Sequence, residues 1–353
     1  MAEAVSKKQT QKTYDLADFA RTAPPSAQKP PHWYQPQIDR KQLSQLMKRR
    51  NGPALRDTVL LYLGLILSGG GAVFVMQSSV MASLPIWAFY GVLYASAADS
   101  RWHECGHGTA FKTAWMNRVV YHIACFMILR NPVSWKWSHA RHHTDTLIVG
   151  RDPEIALMRP PLALKTFLNF FGIPDIIDAF RRMFIHSAGS VAPDEAVYIP
   201  EDQISRAILI SRIWLMIFAC VIAFSVWTGS FIPLLLIGGP RLYGSWHFNM
   251  TGLIQHGGLA DNVDDHRLNT RTVMMNPISR FIYLNMNYHI EHHIFPAVPY
   301  YNLPALHELI KDELPQPSPS LWSSYAEMMP ILWRQFKGED VFIDRTLTSA
   351  QTR

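Results

Sequence analysis

Apolar residues in this chain are gathered into blocks rather than spread evenly along it. From Thr58 to Ala98, 41 residues pass without one Asp, Glu, Lys or Arg. A bilayer core takes about 20 apolar residues per helix, so this block predicts two crossings. Gln77, Ser78 and Ser79, then Ser83 and Pro85, mark the turn between them. A second uncharged run extends from Ile213 to Pro240, with Arg212 able to snorkel at its entrance. Trp227, Thr228, Gly229 and Ser230 place a tight turn there and make a second hairpin. Buried hairpins of a soluble protein are the alternative, but 41 uncharged residues exceed an ordinary soluble helix pair. The pattern predicts an all-α integral membrane protein with four transmembrane helices. They form two hairpins, over about 58–100 and 206–248, beneath a helical cap built from 101–205 and 249–335.

The remaining stretches fill in this plan. Val119 to Leu129 is apolar but short, and Pro161 to Ile185 is broken by Lys165, Asp175, Asp178, Arg181 and Arg182. Both read as helices lying at the interface or packed over the cap. Residues 1–50, with Pro24, Pro25 and Pro30, read as a flexible polar tail without the apolar core of a signal peptide. Residues 51–335 form the membrane domain, 336–353 read as a second tail, and no repeat of solenoid period is present.

Two short turns return the chain to its starting side, so both termini and the segment between the hairpins share one aqueous compartment. Up to Asp57 the chain carries eleven Lys and Arg, while the two turns carry none. The positive-inside rule places that shared side in the cytoplasm. Charged residues make up 17% of the chain, against about 25% in soluble proteins. This composition disfavours a disordered scaffold, a collagen-like fibre or a disulfide-stapled module. The net charge of +6 sits beside apolar blocks and suits a membrane surface better than a nucleic acid. Cys105, Cys125 and Cys220 show no paired spacing and point to a reducing compartment.

Fifteen histidines are the oddity of the composition. Eight fall into three clusters: His103 and His107; His139, His142 and His143; and His289, His292 and His293. Residues three and four apart share one helix face, so each cluster can aim two or three imidazoles at one point. All three clusters fall on the cytoplasmic side of the predicted topology, and eight imidazoles exceed what one metal can bind. Two metals are the economical count, and neutral nitrogen ligands suit iron, zinc or copper. A ninth candidate ligand is His256, followed by Gly257 and Gly258; His247 ranks below it, beside the aromatic pair Trp246 and Phe248. His32, His122, His186, His266 and His307 are isolated and read as ordinary polar residues. Carboxylates orient metal-bound imidazoles, and Glu104, Asp145, Asp152, Asp261, Asp265 and Glu291 are near enough in sequence to do so.

His103-Glu104-Cys105-Gly106-His107 also fits the His-Glu-x-x-His pattern of zinc proteases, in which the Glu activates water. An intramembrane protease would leave the other two clusters unexplained. A histidine-rich metal transporter would carry histidines or acids within its spans, and the two uncharged runs carry none.

The three clusters, in this order and spacing, resemble the histidine boxes of the membrane fatty-acid desaturase and hydroxylase superfamily. The run Asn287 to Pro296, followed by Val298-Pro299-Tyr300, is similar to the last box of many desaturases, and His256 occupies the place of an extra ligand. The resemblance covers roughly Thr58 to Leu314. It implies a non-haem diiron centre that activates O2, with electrons from outside. The chain has no His-Pro-Gly-Gly haem motif, so the donor is expected to be a separate ferredoxin, rubredoxin or cytochrome served by its own reductase. The segment Gln255 to Val273 looks like compact bacterial members, which implies a bacterial inner membrane. Some of those oxidise small molecules rather than acyl chains.

The expected reaction is therefore O2-dependent attack on an unactivated C–H bond. Acyl-lipid desaturation is the leading form, with hydroxylation or oxidative demethylation of a small molecule as the alternative. Trp135, Trp137, Phe248 and Tyr288 flank the clusters and are candidates for an apolar channel. Interfacial aromatic belts are the stronger account of them. Arg267 and Arg271 are candidates for anchoring an anionic head group.

Overall fold

The structure, a computed structural model, describes residues 14–345 apart from 25, 26 and 28, together with 347. It is built of helices. Among the described residues the extended pairings are isolated bridges, Thr272 with Tyr288 and Val273 with Ser318.

Two short helices lead in: α1 (Leu16–Thr22), capped by Asp15, and α2 (Arg40–Leu46), capped by Asp39. The first apolar block then becomes α3 (Asn51–Met76) and α4 (Val80–Val92), with Ser79 capping α4 through the Ala82 N–H. Beyond α4 the helix continues through a π-helical turn, Leu93–Ala97, into α5 (Ala98–Gly106). A π-turn shifts the register of the residues after it and often marks a functional site; here it lies just before His103 and His107.

The segment expected to form a cap begins with α6 (Ala114–Met127) and α7 (Pro132–Asp145), whose N-terminus is held by the Asn131 side chain. Next come α8 (Ala163–Asn169) and α9 (Ile173–Ser187). They leave Leu164, Phe167, Ile177 and Phe184 exposed, with Phe171 exposed between them, as expected of amphipathic helices at a bilayer boundary. The 28-residue α10 (Glu201–Thr228) follows.

Among the described residues, three helical stretches are long and apolar enough to cross a membrane: Arg40–Met76, Val80–Gly106 and Glu201–Thr228. Their outer faces expose Ile66, Leu67 and Phe74 on α3 and Met216, Val226 and Trp227 on α10. Each such side chain costs about 1.5–3 kcal/mol when left in water rather than buried, and a bilayer supplies the missing cover.

The predicted second hairpin differs in its returning arm. After Gly229, which closes α10 with φ 60°, the chain makes α11 (Ile232–Leu236), breaks at 237–239, and resumes as α12 (Pro240–His256). Gly238 has φ +81° at the break, and Arg241 stands in the first turn of α12. The return is therefore two pieces instead of one long apolar helix. α12 crosses α4 at Gly91 and Gly244, where a Cβ on Gly244 would lie 2.0 Å from the Gly91 carbonyl oxygen.

The rest of the segment expected to form a cap holds α13 (His266–Asn269), α14 (Pro277–Ile282), α15 (His289–Ile294), α16 (Leu303–Ile310) and α17 (Leu321–Phe336). Parts of the segments expected to be free tails are folded onto it. The Trp33 indole N–H donates to the Thr144 carbonyl at 3.0 Å, and Trp33 stacks on His266 at 3.9 Å. At the other end, the Ile343 N–H donates to Gly258 at 2.7 Å and Arg345 to Thr270 at 2.9 Å. Aromatic residues within the proline-rich stretch give the N-terminal arm something to bury.

Candidate metal centre

Three helices carry the histidine clusters into one volume. On α7, His139 and His143 stand one turn apart with His142 between them; α15 repeats this with His289, His292 and His293. α5 contributes His103 and, at its end, His107, and His256 closes α12. The nine imidazoles sort into two sets, His103, His107, His139, His143 and His292 in one and His142, His256, His289 and His293 in the other. Within each set the ligand nitrogens all lie within 4.8 Å of one another. The His143 and His293 rings stack at 4.3 Å, so the two sets adjoin.

The nitrogens facing inward are Nε2 atoms. His139 Nε2 lies 3.2, 3.1 and 3.2 Å from those of His103, His107 and His143, and His292 Nε2 lies 2.7 Å from that of His103. In the second set, His289 Nε2 is 3.3 Å from His256 and 3.2 Å from His293.

The outward nitrogens fix the tautomers. His139 Nδ1 meets the Glu154 carboxylate at 3.0 Å, His142 Nδ1 meets Asp152 at 2.9 Å, and His256 Nδ1 meets the Asn269 carbonyl at 2.9 Å. The Thr146 hydroxyl donates to the His142 carbonyl and so accepts from His293 Nδ1 at 3.1 Å. These acceptors place the proton on Nδ1 and turn the Nε2 lone pairs of four imidazoles toward their neighbours. Lone pairs crowded at about 3 Å repel unless a cation lies among them, so the donor set fits metal ions; all-nitrogen ligation suits iron, zinc or copper.

Electrostatics agree. Burial, reinforced by crowded neighbouring imidazoles, holds His107, His143, His289, His292 and His293 well below the usual histidine range. These residues are therefore neutral, as ligands must be. His142 is the exception: burial pushes it down, but the Asp152 carboxylate outweighs that and raises it to about 8.

Residues 78–325 match the family described as fatty acid desaturase. The chain belongs to that family. Among its curated relatives is an sn-2 acyl-lipid omega-3 desaturase (ferredoxin), chloroplastic, of Helianthus annuus. It is 24% identical over 67% of this chain and 59% of the relative. An sn-1 acyl-lipid omega-3 desaturase (ferredoxin) of Synechocystis sp. is 24% identical over 73% of this chain and 75% of its own length. An acyl-lipid (9+3)-(E)-desaturase of Dimorphotheca sinuata is 22% identical over 73% and 74%. The chain thus spans about three-fifths of the Helianthus protein.

In this desaturase-family chain the other predicted site residues fall into two groups. Asp152 stands against the His142 imidazole. Glu104 is fully buried; its Oε2 accepts from the Tyr300 N–H at 3.2 Å and from Thr109 at 3.1 Å, and its Oε1 lies 4.0 Å from His292 Nδ1. It therefore faces the outer edge of His292, behind the ring, where the water of a zinc protease would not be.

Four other carboxylates serve other partners. Asp145 pairs with Arg151, Asp261 with Arg159, and Asp265 with Arg267, while Glu291 accepts from Thr272 and meets His307. Glu154 takes the role expected of this group. The acids of Asp152-Pro153-Glu154 were a signal in the sequence, because a loop after α7 can fold back onto it.

A cavity of 270 Å³ reaches both histidine sets, touching His103, His139, His142 and His289. Trp102, Trp135, Phe248 and Tyr283 form its aromatic wall. Of the candidate channel residues, Trp135 and Phe248 are there. Trp137 is not: it packs beside Val133, Ile199 and Ala207 on another side of α7. Tyr288 is buried 5.3 Å from the His307 ring.

Arg267 and Arg271 are not available as head-group anchors. Arg267 holds Asp265 at 2.8 Å and the Glu313 carbonyl at 3.1 Å, with Tyr34 against its face. Arg271 donates to the carbonyls of Ile254 and Gly257 and reaches Glu327 at 3.2 Å. Both arginines hold loops in place.

Proposed function

We propose that this chain is an O2-dependent membrane desaturase with two irons, one in each histidine set, acting on an acyl lipid. The observation that carries the reading is the inward turn of Nε2 atoms in two adjoining sets of five and four histidines. A bound diiron pair would supply the oxidising power for removing hydrogen from an unactivated C–H bond, with O2, two external electrons and two protons consumed and an alkene and two waters formed.

What the protein contributes is placement. Glu154, Asp152, Asn269 and Thr146 hold the imidazoles in one tautomer. Trp102, Trp135, Phe248 and Tyr283 form a wall that orients an apolar chain and excludes water beside them. Second-sphere support of this kind is what lets ligands keep one geometry through turnover.

The topology belongs to the same proposal. α3 with α4–α5 forms the first hairpin, and α10 with the broken α11–α12 return forms the second. Residues 51–335 make one domain whose cap, with both termini, lies on the cytoplasmic side of a bacterial inner membrane, by the basic residues before α3. Relatives named as ferredoxin desaturases support a ferredoxin donor; rubredoxin or a cytochrome would serve the same chemistry. A second reading, oxidation of a small polar molecule, is favoured by charged groups in the cavity, Asp99, Arg130, Lys165 and Asp175.

The test is reconstitution in lipid with reduced ferredoxin under O2, followed by mass analysis of the acyl chains. A loss of two mass units that requires both O2 and ferredoxin supports desaturation, whereas a gain of sixteen identifies hydroxylation. No O2-dependent product from iron-loaded protein with any lipid or methylated small molecule would overturn the reading.

A further inference from the structure

Arg241 is the least satisfied cation in the described structure. Its side chain is 2% exposed, and neither Nε nor Nη1 has a hydrogen-bond partner. Its nearest carboxylate, Asp175, lies 3.8 Å from Nη2, beyond hydrogen-bonding distance, and Asp99, which also acts on it, is ion-paired with Arg130. Leaving two buried guanidinium nitrogens without hydrogen-bond partners is unfavourable, and packing alone does not explain it, since Met or Leu would fill the same space.

The surroundings point to an acceptor that comes from outside the chain. Arg241 lines a 160 Å³ cavity together with Arg130, Lys165 and Arg182 and with three carboxylates, Asp175, Asp178 and Glu195, of which the last two are paired with Arg182. That cavity shares Arg130, Trp135, Lys165 and Asp175 with the 270 Å³ cavity at the histidines. Arg130 and Arg241 stand 5.1 and 5.6 Å from the centroid of the same Phe248 ring. Arg130 is ion-paired with Asp99 at 2.9 Å through Nη1, whereas Arg241 Nε and Nη1 have no hydrogen-bond partner. Arg130 also lies 5.2 Å from the Trp102 ring, whose centroid is 5.3 Å from that of His139. The cationic end of the cavity is therefore about one indole away from the metal-facing imidazoles.

We infer that Arg241, assisted by Arg130, binds a carboxylate or phosphate group of the substrate and thereby sets which carbon reaches the histidine sets. This rests on the proposed desaturase reading and adds a substrate class to it: an anionic amphiphile oxidised near its charged end. A guanidinium presents a planar fork of donors that matches either anion, so the ligand's source is a free carboxylate or a phospholipid head group.

The test uses the whole protein in phosphatidylcholine nanodiscs, with empty discs as the control for partition. Equilibrium binding of radiolabelled dodecanoate and its methyl ester is compared between the native protein and Arg241→Gln, with Arg241→Lys as the conservative variant. Losing charged hydrogen bonds predicts about 30-fold weaker dodecanoate binding in Arg241→Gln, partial recovery in Arg241→Lys, and no change for the ester. In a parallel arm, retention of phosphatidylglycerol over phosphatidylcholine that is lost in Arg241→Gln would support the site with a lipid phosphate as its ligand. Equal binding of acid and ester, indifferent to Arg241→Gln, together with no phosphatidylglycerol preference, would overturn the inference. Iron content and thermal melting of each variant separate this outcome from misfolding. O2-dependent turnover by the native protein reports separately on the desaturase reading.

Discussion

Replacing Glu154 by Gln tests whether the carboxylates behind the imidazoles tune the metal site. Glu154 Oε2 receives the His139 Nδ1–H at 3.0 Å, and Oε1 receives the Ser138 hydroxyl at 2.8 Å. Burial by itself would raise this carboxyl, but His139, His142 and Arg130 outweigh it and hold it at about 2. The group is therefore ionised throughout the neutral range, and Gln keeps its shape while removing its charge. A hydrogen bond to an ionised partner contributes about 1.5–3 kcal/mol against about 0.5–1.5 for a neutral one. The difference, about 1–1.5 kcal/mol, is roughly tenfold in affinity. Outer partners of metal-bound histidines cost 10–100-fold when changed. Iron affinity should thus fall about 10–100-fold in Glu154→Gln, while melting of the metal-free protein moves little. The assay is iron retention in detergent during dialysis against graded chelator. Unchanged affinity would refute the argument. So would an equal loss in Ser138→Ala, since Glu154 would then serve the packing of α7 rather than the tautomer of His139.

Other expectations follow from the packing. Gly244→Ala should separate α4 from α12, because the added Cβ meets backbone and not a movable side chain; the cost is at least the ~1–3 kcal/mol of ordinary overpacking, read as a lower melting temperature and lost iron. Trp33→Ala removes a ring stack and an indole hydrogen bond and should weaken the N-terminal arm by about 1–2 kcal/mol, seen as faster limited proteolysis before residue 40 with the cap intact. Glu195 joins α7, α9 and the loop between α9 and α10 through Ser134, His186 and the Ala192 N–H. Burial opposes its charge, but His186, Arg182 and Ser134 prevail and hold it at about 2, against 4.5 unperturbed. Its folded pKa is depressed, so its stabilisation is present above about pH 4.5 and is lost as pH falls toward 2, on the order of 3 kcal/mol in all. Glu195→Gln should flatten that acid limb in an unfolding titration.

Eight of the nine histidines are legible because a helix converts spacings of three and four into a shared face, a rule that needs no knowledge of the fold, whereas His256 stands alone in the sequence and is picked out by its position and the two glycines after it. The same rule separates the two tryptophans of α7. Trp135 is one turn from His139 and reaches the cavity, while Trp137, two residues away, projects to a different side. What stayed hidden depends on contacts distant in sequence. Arg267 and Arg271 looked like free cations, yet their partners Glu313 and Glu327 lie 46 and 56 residues away. The returning arm of the second hairpin looked continuous because Gly238 and Gly239 add no charge to an apolar run, although they interrupt the helix. The N-terminal arm looked unstructured because its contacts, Thr144 and His266, lie on two separate parts of the cap.

The most direct test of the account is the iron stoichiometry and Mössbauer spectrum of protein expressed with ⁵⁷Fe and purified in mild detergent. Two histidine sets predict close to two irons per chain in nitrogen-rich sites, reduced to a small residue when His139 and His289 are both changed to Ala. One zinc per chain with no iron, or full iron retained in that double variant, would contradict it.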